Sequence, residues 1–380
     1  MESIVDIVDG LIEEALAARA SDIHLDPSPH ELKVRFRIDG VLQRKYTIPK
    51  HLHAELISRI KVLAHLRTDE HQATQDGRFR FSGARGTPLD VRVSIAPTFY
   101  GENVVLRLLT NRHQAHTLES LGFSEKNQQI VSDVLKRQSG MILSTGPTGS
   151  GKTTTLYTLL SMRNTSDVSI ITIEDPIEYA IEDVKQLQVN SRAGLTFANG
   201  LRSILRQDPN IIMVGEIRDM ETASIAVNTA LSGHLLLSTL HTNNAATTLP
   251  RLLDMGVDAY LVASTISLAI GQRLVRTICT VCKDSRKATE FEKEVVGSNS
   301  MHFGRGCEHC SGSGYTGRLC MSEILVATDP LRDAIIRKAS AKEIEAIAIQ
   351  NGMITMREDG LDKVRQGYTT LEEVLRVMHT

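Results

Sequence analysis

The stretch ILSTGPTGSGKTTTLYTLL, which begins at Ile142, most constrains how this 380-residue chain can fold. An apolar run leads into a G-x-x-x-x-G-K-[ST] pattern that opens a helical segment, and this is the context that a phosphate-binding loop requires. The glycines let backbone N–H groups surround phosphate oxygens, and the helix N-terminus adds positive potential. The pattern predicts a nucleotide site at Gly146, Pro147, Thr148, Gly149, Ser150, Gly151, Lys152, Thr153 and Thr154.

Two side chains of this loop have specific expected roles. Lys152 should reach the β- and γ-phosphates, and the Thr153 hydroxyl should ligate Mg²⁺. The sequence contains no NKxD-like segment that would read guanine. We therefore expect ATP rather than GTP, with Mg²⁺ as its counter-ion.

The pattern of the chain changes near residue 110. Before it, a helical period and then alternating strand patterns, with a hairpin signal at Asp39-Gly40, predict a small α+β domain with an antiparallel sheet. After it, strand-like and helical runs alternate, which predicts an α/β domain with a mostly parallel sheet. The expected boundaries are 1–110 for the α+β domain, 111–121 for a linker, and 122–380 for the nucleotide-binding domain, including a metal-binding insert at 276–315 and a helical region at 329–380.

Acidic residues follow two of the predicted parallel strands. The apolar run 211–214 ends in Gly215-Glu216, where a carboxylate that supports Mg²⁺ is expected. The segment TIEDPIEY supplies Glu174, Asp175 and Glu178, and Glu174 is expected to contribute to the nucleotide site. Because carboxyl ends of parallel strands line the ligand crevice, one carboxylate can activate water while another holds the metal. The alternative is that these residues cap helices or pair with arginines.

Two histidines flank the next strand-like run, GHLLLSTLHTN. His241 lies at its end beside polar residues, where it could sense a phosphate or a neighbouring subunit. His234, at its start, is as readily explained as a structural residue.

Four of the five cysteines form two C-x-x-C pairs separated by 24 residues: Cys279, Cys282, Cys307 and Cys310. Such paired knuckles supply a closed tetrahedral thiolate site, which is structural rather than catalytic. We expect Zn²⁺, although another thiophilic metal, or four unligated thiols, would fit the same residues. Cys320 is the odd one out and reads as a small apolar filler.

Net charge, apolar runs and cysteine usage limit the classes of protein to which the chain can belong. The formal net charge of −2 argues against nucleic acid as the main partner, because phosphate binding usually leaves a basic footprint. No run of about 18 apolar residues is present, and the acidic, helical N-terminus is not a signal peptide. Paired cysteines suit a reducing compartment. These features predict a cytoplasmic protein.

Together, the glycine loop, TIEDPIE, NIIMVGEIRD, SGHLLLSTLHTN and the four cysteines resemble the type II secretion and type IV pilus assembly ATPases. The segments ASDIHLDP, VRFRIDGVL and DVRVS resemble that family's second N-terminal domain. The resemblance implies a RecA-like P-loop NTPase domain with a parallel-rich sheet. It also implies a preceding small α+β, PAS-like domain, a tetracysteine zinc insert and a helical C-terminal tail.

The resemblance also assigns roles. Glu178 matches the expected general base, Glu216 the Walker B glutamate and His241 the His box. Arg92 and Arg107 match arginines of the N-terminal domain that reach the γ-phosphate, although both could instead pair with nearby carboxylates on outward-facing strands. Weaker candidates for a functional arginine lie in the nucleotide-binding domain: Arg202, Arg206 and Arg218.

Partners follow from the same resemblance. It implies a homohexamer that acts on an inner-membrane platform protein, is peripheral to that membrane, and assembles a pilus or pseudopilus. The cysteine insert favours extension over a pilus-retraction ATPase. A further N-terminal docking domain of such motors has no counterpart here, so recruitment to the platform is in doubt. Other functions remain open at this stage: a DNA-translocating or conjugation-type ATPase, and a nucleotide switch without turnover.

Overall fold

The computed structural model describes residues 3–83, 88–109 and 116–379. Backbone contacts divide the chain into two compact units, Met1–Gln114 and Ala115–Thr380, and each is described by itself. The first part of the predicted linker, residues 111–115, lies outside the described residues, whereas its last residues form a short helix at Leu118–Leu121. No helix among the described residues is both long enough and apolar enough to cross a membrane.

The first unit places two helices on one antiparallel sheet. Its six strands are ordered β3-β2-β1-β6-β5-β4, and every neighbouring pair is antiparallel. A short 3-10 turn at Lys50–Leu52 precedes the second helix. The elements are α1 Ile4–Ala17, β1 Ala20–Pro27, β2 Glu31–Ile38, β3 Val41–Pro49, α2 His53–Leu63, β4 Gln75–Ser82, β5 Pro88–Thr98 and β6 Gly101–Leu109.

Local sequence explains several of these elements. Ser3 caps α1 reciprocally with Asp6, so two backbone donors of the first turn are satisfied. The predicted hairpin lies between β2 and β3, where Asp39 and Gly40 both take positive φ, 48° and 84°. Alternate strand residues pack with α1 and α2 into one core. The opposite face of the sheet therefore carries the polar and charged side chains.

The second unit is built on a seven-stranded sheet ordered β15-β12-β7-β11-β10-β8-β9. All neighbouring pairs are parallel except β12 with β15. The strands of this unit, including β13 and β14 that lie outside the seven-stranded sheet, are β7 Gly140–Thr145, β8 Ile170–Glu174, β9 Lys185–Gln188, β10 Ile211–Val214, β11 Leu235–Leu240, β12 Ile266–Ile278, β13 Lys283–Lys287, β14 Ser300–Gly304 and β15 Tyr315–Val326. The α/β fold class with a parallel-rich sheet, predicted from the alternation of elements, is confirmed.

Helices cover both faces of this sheet. The helices of the second unit are α3 Leu118–Leu121, α4 Glu125–Leu135, α5 Lys152–Arg163, α6 Phe197–Ile204, α7 Met220–Leu231, α8 Ala245–Asp254, α9 Ala259–Thr265, α10 Glu290–Val296, α11 Asp329–Ile336, α12 Ala341–Gln350, α13 Met356–Arg365 and α14 Leu371–Met378. In β7, Ile142 packs with the α4 and α5 side, whereas Met141 and Leu143 pack with the α6 to α8 side. A strand buried on both faces reads as a continuous apolar run, as this one does.

The C-terminal helices pack back onto the sheet through buried charge pairs. Glu373 of α14 is 1% exposed, and its carboxylate accepts bonds from Arg276 of β12 and from Arg376. These guanidinium contacts outweigh the effect of burial and lower the pKa of Glu373 to about 2. Strands β13 and β14 form a separate two-stranded ribbon that carries the cysteine pairs beyond the main sheet.

Candidate nucleotide site and cysteine cluster

The glycine loop connects β7, which ends at Thr145, to α5, which begins at Lys152. Gly146 takes φ 145°, and a Cβ there would lie 2.3 Å from the Gln272 carbonyl oxygen and 2.7 Å from Ser150 Oγ. Gly151 takes φ 90° directly before the helix. Side chains are excluded at Gly146 by both space and backbone conformation, so the loop can close only with glycine.

Lys152 is 8% exposed and folds over its own loop. Its Nζ donates to the carbonyl oxygens of Gly146, at 2.9 Å, and Pro147, at 3.0 Å. Burial lowers the pKa of the Lys152 ammonium, while the Glu216 charge opposes that shift. Ser150 Oγ is buried and has no hydrogen-bond partner among the residues that the structure describes. A buried ammonium and an unsatisfied hydroxyl in a glycine loop are donors that suit phosphate oxygens, so these residues fit a nucleotide.

The remaining loop residues differ in exposure. Pro147, Thr148 and Gly149 are exposed at the tip, whereas Thr153 and Thr154 are partly buried in the first turn of α5. The Thr153 hydroxyl thus remains available beside the loop, as its predicted role in binding Mg²⁺ requires.

Gln272 of β12 supports the loop and was not identified from the sequence. Its side chain is fully buried, accepts a bond from Ser144 Oγ at 2.9 Å and donates to the Ser150 carbonyl oxygen at 2.8 Å. It therefore ties the strand before the loop to Ser150, near the end of the loop. The only signal in the sequence is a polar amide within the otherwise apolar run SLAIGQ.

Glu216 lies just past the end of β10, and its side chain is 11% exposed. One carboxylate oxygen contacts Arg218 at 2.6 Å, and the other contacts His241 Nε2 at 3.3 Å. The structure thus brings together Glu216 and His241, which the sequence placed on separate strands. The Thr239 hydroxyl donates to the Gly215 carbonyl oxygen at 2.7 Å, which fixes the strand end that carries Glu216.

Glu174, in contrast, is turned into the core at 2% exposure. Its carboxylate accepts bonds from the Thr172 hydroxyl at 2.6 Å, the Gln186 amide at 3.1 Å, and the Tyr157 hydroxyl. These contacts occupy both oxygens. The Glu178 backbone N–H reaches the same Tyr157 hydroxyl at 3.4 Å, so this network anchors the loop that carries the exposed Glu178 side chain.

The first unit carries a row of charged residues across the polar face of its sheet. Arg92 of β5 lies opposite Arg107 of β6, and Arg107 lies opposite Asp22 of β1. Asp22 is also opposite Arg37 of β2. Asp22, whose side chain is only 7% exposed, accepts from Arg107 Nε at 3.0 Å and lies 3.5 Å from Arg37 Nε. One buried carboxylate therefore orients two of these guanidinium groups.

The weaker candidates have local partners. Arg202 contacts Glu221 at 2.7 Å, and Arg206 donates to the Arg202 carbonyl oxygen at 3.0 Å. His234 Nδ1 lies 3.3 Å from the Thr229 carbonyl oxygen. Arg218 is in contact with a predicted catalytic residue, Glu216.

The four predicted cysteines converge into one cluster, in which all four Sγ atoms lie within 4.8 Å of one another. Three Sγ–Sγ distances are 3.9 Å for Cys279–Cys307, 3.8 Å for Cys282–Cys310 and 3.7 Å for Cys307–Cys310. Thiolates bound at about 2.3 Å to a tetrahedral zinc ion lie about 3.8 Å apart. The donor set and its dimensions therefore fit zinc.

Backbone amides support the thiolate form. The N–H groups of Cys307 and Gly314 both point at Cys310 Sγ, each at 3.2 Å. Burial alone raises the pKa of the Cys310 thiol, but these donors more than offset it and lower the pKa to about 6. Cys320, by comparison, is enclosed in the core, where burial raises the pKa of its thiol to about 12. Cys320 thus lies outside the cluster.

The sheet order, the glycine loop and the acidic strand end define a RecA-like P-loop protein. Residues 1–376 match the family model described as Type II/IV secretion system protein. The chain belongs to this family, which confirms the assignment made from its motifs.

The relatives include a type II secretion protein and a type IV pilus assembly ATPase. Type II secretion system protein E of Xanthomonas campestris pv. campestris is 49% identical over 381 residues, covering 98% of this chain and 67% of that protein. Type IV pilus assembly ATPase PilB of Myxococcus xanthus is 43% identical over 380 residues, with the same two coverages of 98% and 67%.

Solved structures share the fold. The pilus retraction motor PilT with bound ADP superimposes with a TM-score of 0.65 at 27% identity, covering 97% of this chain and 96% of that one. The ATPase DotB of Legionella pneumophila gives a TM-score of 0.71 at 24% identity, covering 98% and 95%. The latter likeness concerns the fold alone.

Proposed function

We propose that this chain is a Mg²⁺-dependent ATPase that works as a homohexameric motor in type IV pilus assembly or type II secretion. The observation that carries the proposal is a buried loop lysine, Lys152, whose ammonium feels the charge of a buried carboxylate, Glu216, at the C-terminal edge of a RecA-like sheet. Family membership supplies the context of secretion and pilus assembly.

Nucleotide binding would begin with an exchange of partners at Lys152. In the described loop, the ammonium bonds two loop carbonyls. Phosphate oxygens carry full charge and are stronger acceptors than carbonyls, so the ammonium should move to the β- and γ-phosphates. The loop N–H groups and the α5 N-terminus would complete the cradle. Mg²⁺, held by the Thr153 hydroxyl and by Glu216, would neutralise phosphate charge.

Glu178 is proposed as the general base. Its carboxylate would take a proton from water as that water attacks the γ-phosphorus, and the bond from that phosphorus to the bridging oxygen of ADP would break. Glu174 would not touch nucleotide, because its oxygens already bond Thr172, Tyr157 and Gln186. It would act by holding the loop that positions Glu178.

His241 and Arg218 would report the state of the site through Glu216. Both contact its carboxylate, so a change in the charge next to Glu216 alters two side chains at once. A rearrangement of this kind can transmit the conformational change that accompanies hydrolysis to a neighbouring surface. Arg92 and Arg107 of the first unit are proposed to compensate the γ-phosphate charge, which would couple its loss to rotation of the two domains.

The proposed cellular setting follows from the family. We place the motor on the cytoplasmic side of the inner membrane, where it would act on a platform protein that adds pilin or pseudopilin subunits. The cysteine cluster, as a structural zinc site, favours an assembly motor over a retraction motor.

The direct test combines turnover with solution mass. We expect Mg²⁺-dependent ATP hydrolysis that Lys152→Ala abolishes, and light scattering should give a mass near six subunits with Mg²⁺ and a non-hydrolysable ATP analogue. Hydrolysis that persists without Lys152 would contradict the proposed site. A strict monomer with bound nucleotide would contradict the ring but leave the site intact.

Replacing Asp22 by Asn should lower kcat about tenfold while nucleotide affinity stays near wild type. The reason is that Asp22 orients Arg107, and loss of a charge-assisted bond is worth about 1.5–3 kcal/mol. Steady-state kinetics with analogue binding measure the two effects separately. Asp26→Asn is the matched control, because Asp26 lies on the same strand and pairs with Arg35 instead. Equal losses in both variants would show a structural effect rather than positioning of Arg107.

A further inference from the structure

A second cavity in the nucleotide-binding unit, of about 810 Å³, lies apart from the glycine loop. Residues from β12, β15, α12, α13, the segment before α8 and the C-terminus line it. Its polar lining includes Arg273, Glu323, Glu345, Asn243, Asn244 and Arg357. Its volume falls within the range of about 300–1,000 Å³ that is usual for small-molecule sites.

The two buried charges in this lining differ in their contacts. Glu323 is 4% exposed, and its two oxygens accept from the backbone N–H groups of Ala245, at 2.8 Å, and Met356, at 3.1 Å. These are the first residues of α8 and α13, so Glu323 satisfies the N-termini of two helices. Its carboxylate is thus fully engaged with backbone donors.

Arg273 has no hydrogen-bonding partner of this kind, although its charge acts on the Glu323 carboxylate. It is 9% exposed, lines the cavity, and makes no hydrogen bond or ion pair with any residue that the structure describes. A guanidinium carries five donors, and burying those donors without hydrogen-bond acceptors is costly. A planar fork of donors matches a carboxylate or a phosphate, which it can bind with two parallel bonds.

We propose that the cavity around Arg273 is a binding site for an oxyanion, either phosphate or carboxylate, distinct from the nucleotide site. The Asn243 and Asn244 side chains line the same cavity, and the exposed Arg357 adds positive charge at its rim. Two sources share this chemistry: free phosphate, and a carboxylate side chain of a second copy of this chain. Arg273 would be the specific anchor in both cases.

Two residues of this cavity are close in sequence to residues at the nucleotide site. Arg273 follows Gln272, whose amide bonds Ser150, and Asn243 lies two residues after His241. Adjacent strand residues point to opposite faces, so Gln272 and Arg273 lie on opposite sides of β12. An anion at Arg273 therefore acts on the same strand that holds the glycine loop.

The test is calorimetric titration of inorganic phosphate into the full chain, saturated with ADP and Mg²⁺ in chloride buffer. If the source is free phosphate, wild type binds it saturably and Arg273→Gln binds it at least about tenfold more weakly. Arg192→Gln is the matched control, since Arg192 is exposed and remote in the sequence from the cavity lining. Phosphate binding that is equal in wild type and Arg273→Gln belongs to the nucleotide site and overturns the free-phosphate arm.

Light scattering with the ATP analogue tests the second source. If a carboxylate of a second copy fills the cavity, Arg273→Gln should lose assembled mass while Arg192→Gln keeps it. Unchanged mass together with unchanged phosphate binding overturns the proposal. Arg273→Gln should melt near the wild-type temperature in chloride, because Arg273 makes no hydrogen bond or ion pair with a described residue that the change would remove. Should it fail to fold, Arg273→Lys, which keeps the charge but loses the fork, is scored by the same two measurements.

Discussion

Replacing Glu178 by Gln is expected to reduce ATP turnover by about 10²–10⁴-fold, the usual contribution of general base catalysis. The substitution keeps the shape of the side chain but removes its ability to accept a proton. Nucleotide affinity should remain near that of wild type, because Glu178 is exposed and is not part of the glycine loop. Single-turnover hydrolysis and binding of a fluorescent ATP analogue measure these two quantities separately.

Glu182→Gln is the matched control for this variant. Glu182 is an exposed glutamate four residues further along the same loop, and its change should leave turnover near wild type. If Glu178→Gln also turns over normally, the base is a different carboxylate. Glu216 would then be the next candidate, because Glu174 is enclosed by Tyr157 and Gln186.

Removal of the metal from the cysteine cluster is expected to have the largest effect on stability. Structural zinc sites contribute about 10–16 kcal/mol of apparent binding free energy in small peptides. If about 4 kcal/mol of this contributes to the free energy of unfolding of the second unit, Cys310→Ser should lower the melting temperature by about 8–16 °C. The affinity for nucleotide should change much less, because the cluster lies on the β13–β14 ribbon rather than at the glycine loop.

Cys320→Ala is the matched control, since it also removes a buried sulfur but lies outside the cluster. Metal analysis should find one zinc per chain in wild type and in Cys320→Ala, and none in Cys310→Ser. Strong chelation of wild type should reproduce the melting temperature of Cys310→Ser. An unaltered melting curve in metal-free protein would sink the structural-zinc assignment.

The sequence predicted those features that are encoded in short segments. The hairpin at Asp39-Gly40, the alternation of strands and helices, and the helical C-terminal region all depend on local periodicity and turn residues, and the structure has each of them. The convergence of two C-x-x-C pairs also followed from spacing, because few folds place four thiols in such order without joining them.

Other features depend on which way a side chain points after the sheet has formed. The segment TIEDPIE contains three carboxylates, and spacing could not show that Glu174 turns inward while Glu178 remains exposed. Gln272 bonds Ser144, which is 128 positions away in the sequence, and Ser150 of the glycine loop, which is 122 positions away. Such contacts arise only when β12 pairs beside β7.

By itself, the sequence determined the class of this protein: a glycine loop ahead of a helix, acidic strand ends and paired cysteines, each recognised within a few residues. Only the tertiary structure decided how the charges are distributed, with Glu216 in contact with His241, Asp22 bonded to Arg107, and Arg273 buried without a hydrogen bond to any described residue. The physical reason is that local motifs depend on backbone conformation and spacing, whereas the partner of a charge depends on which strands lie side by side.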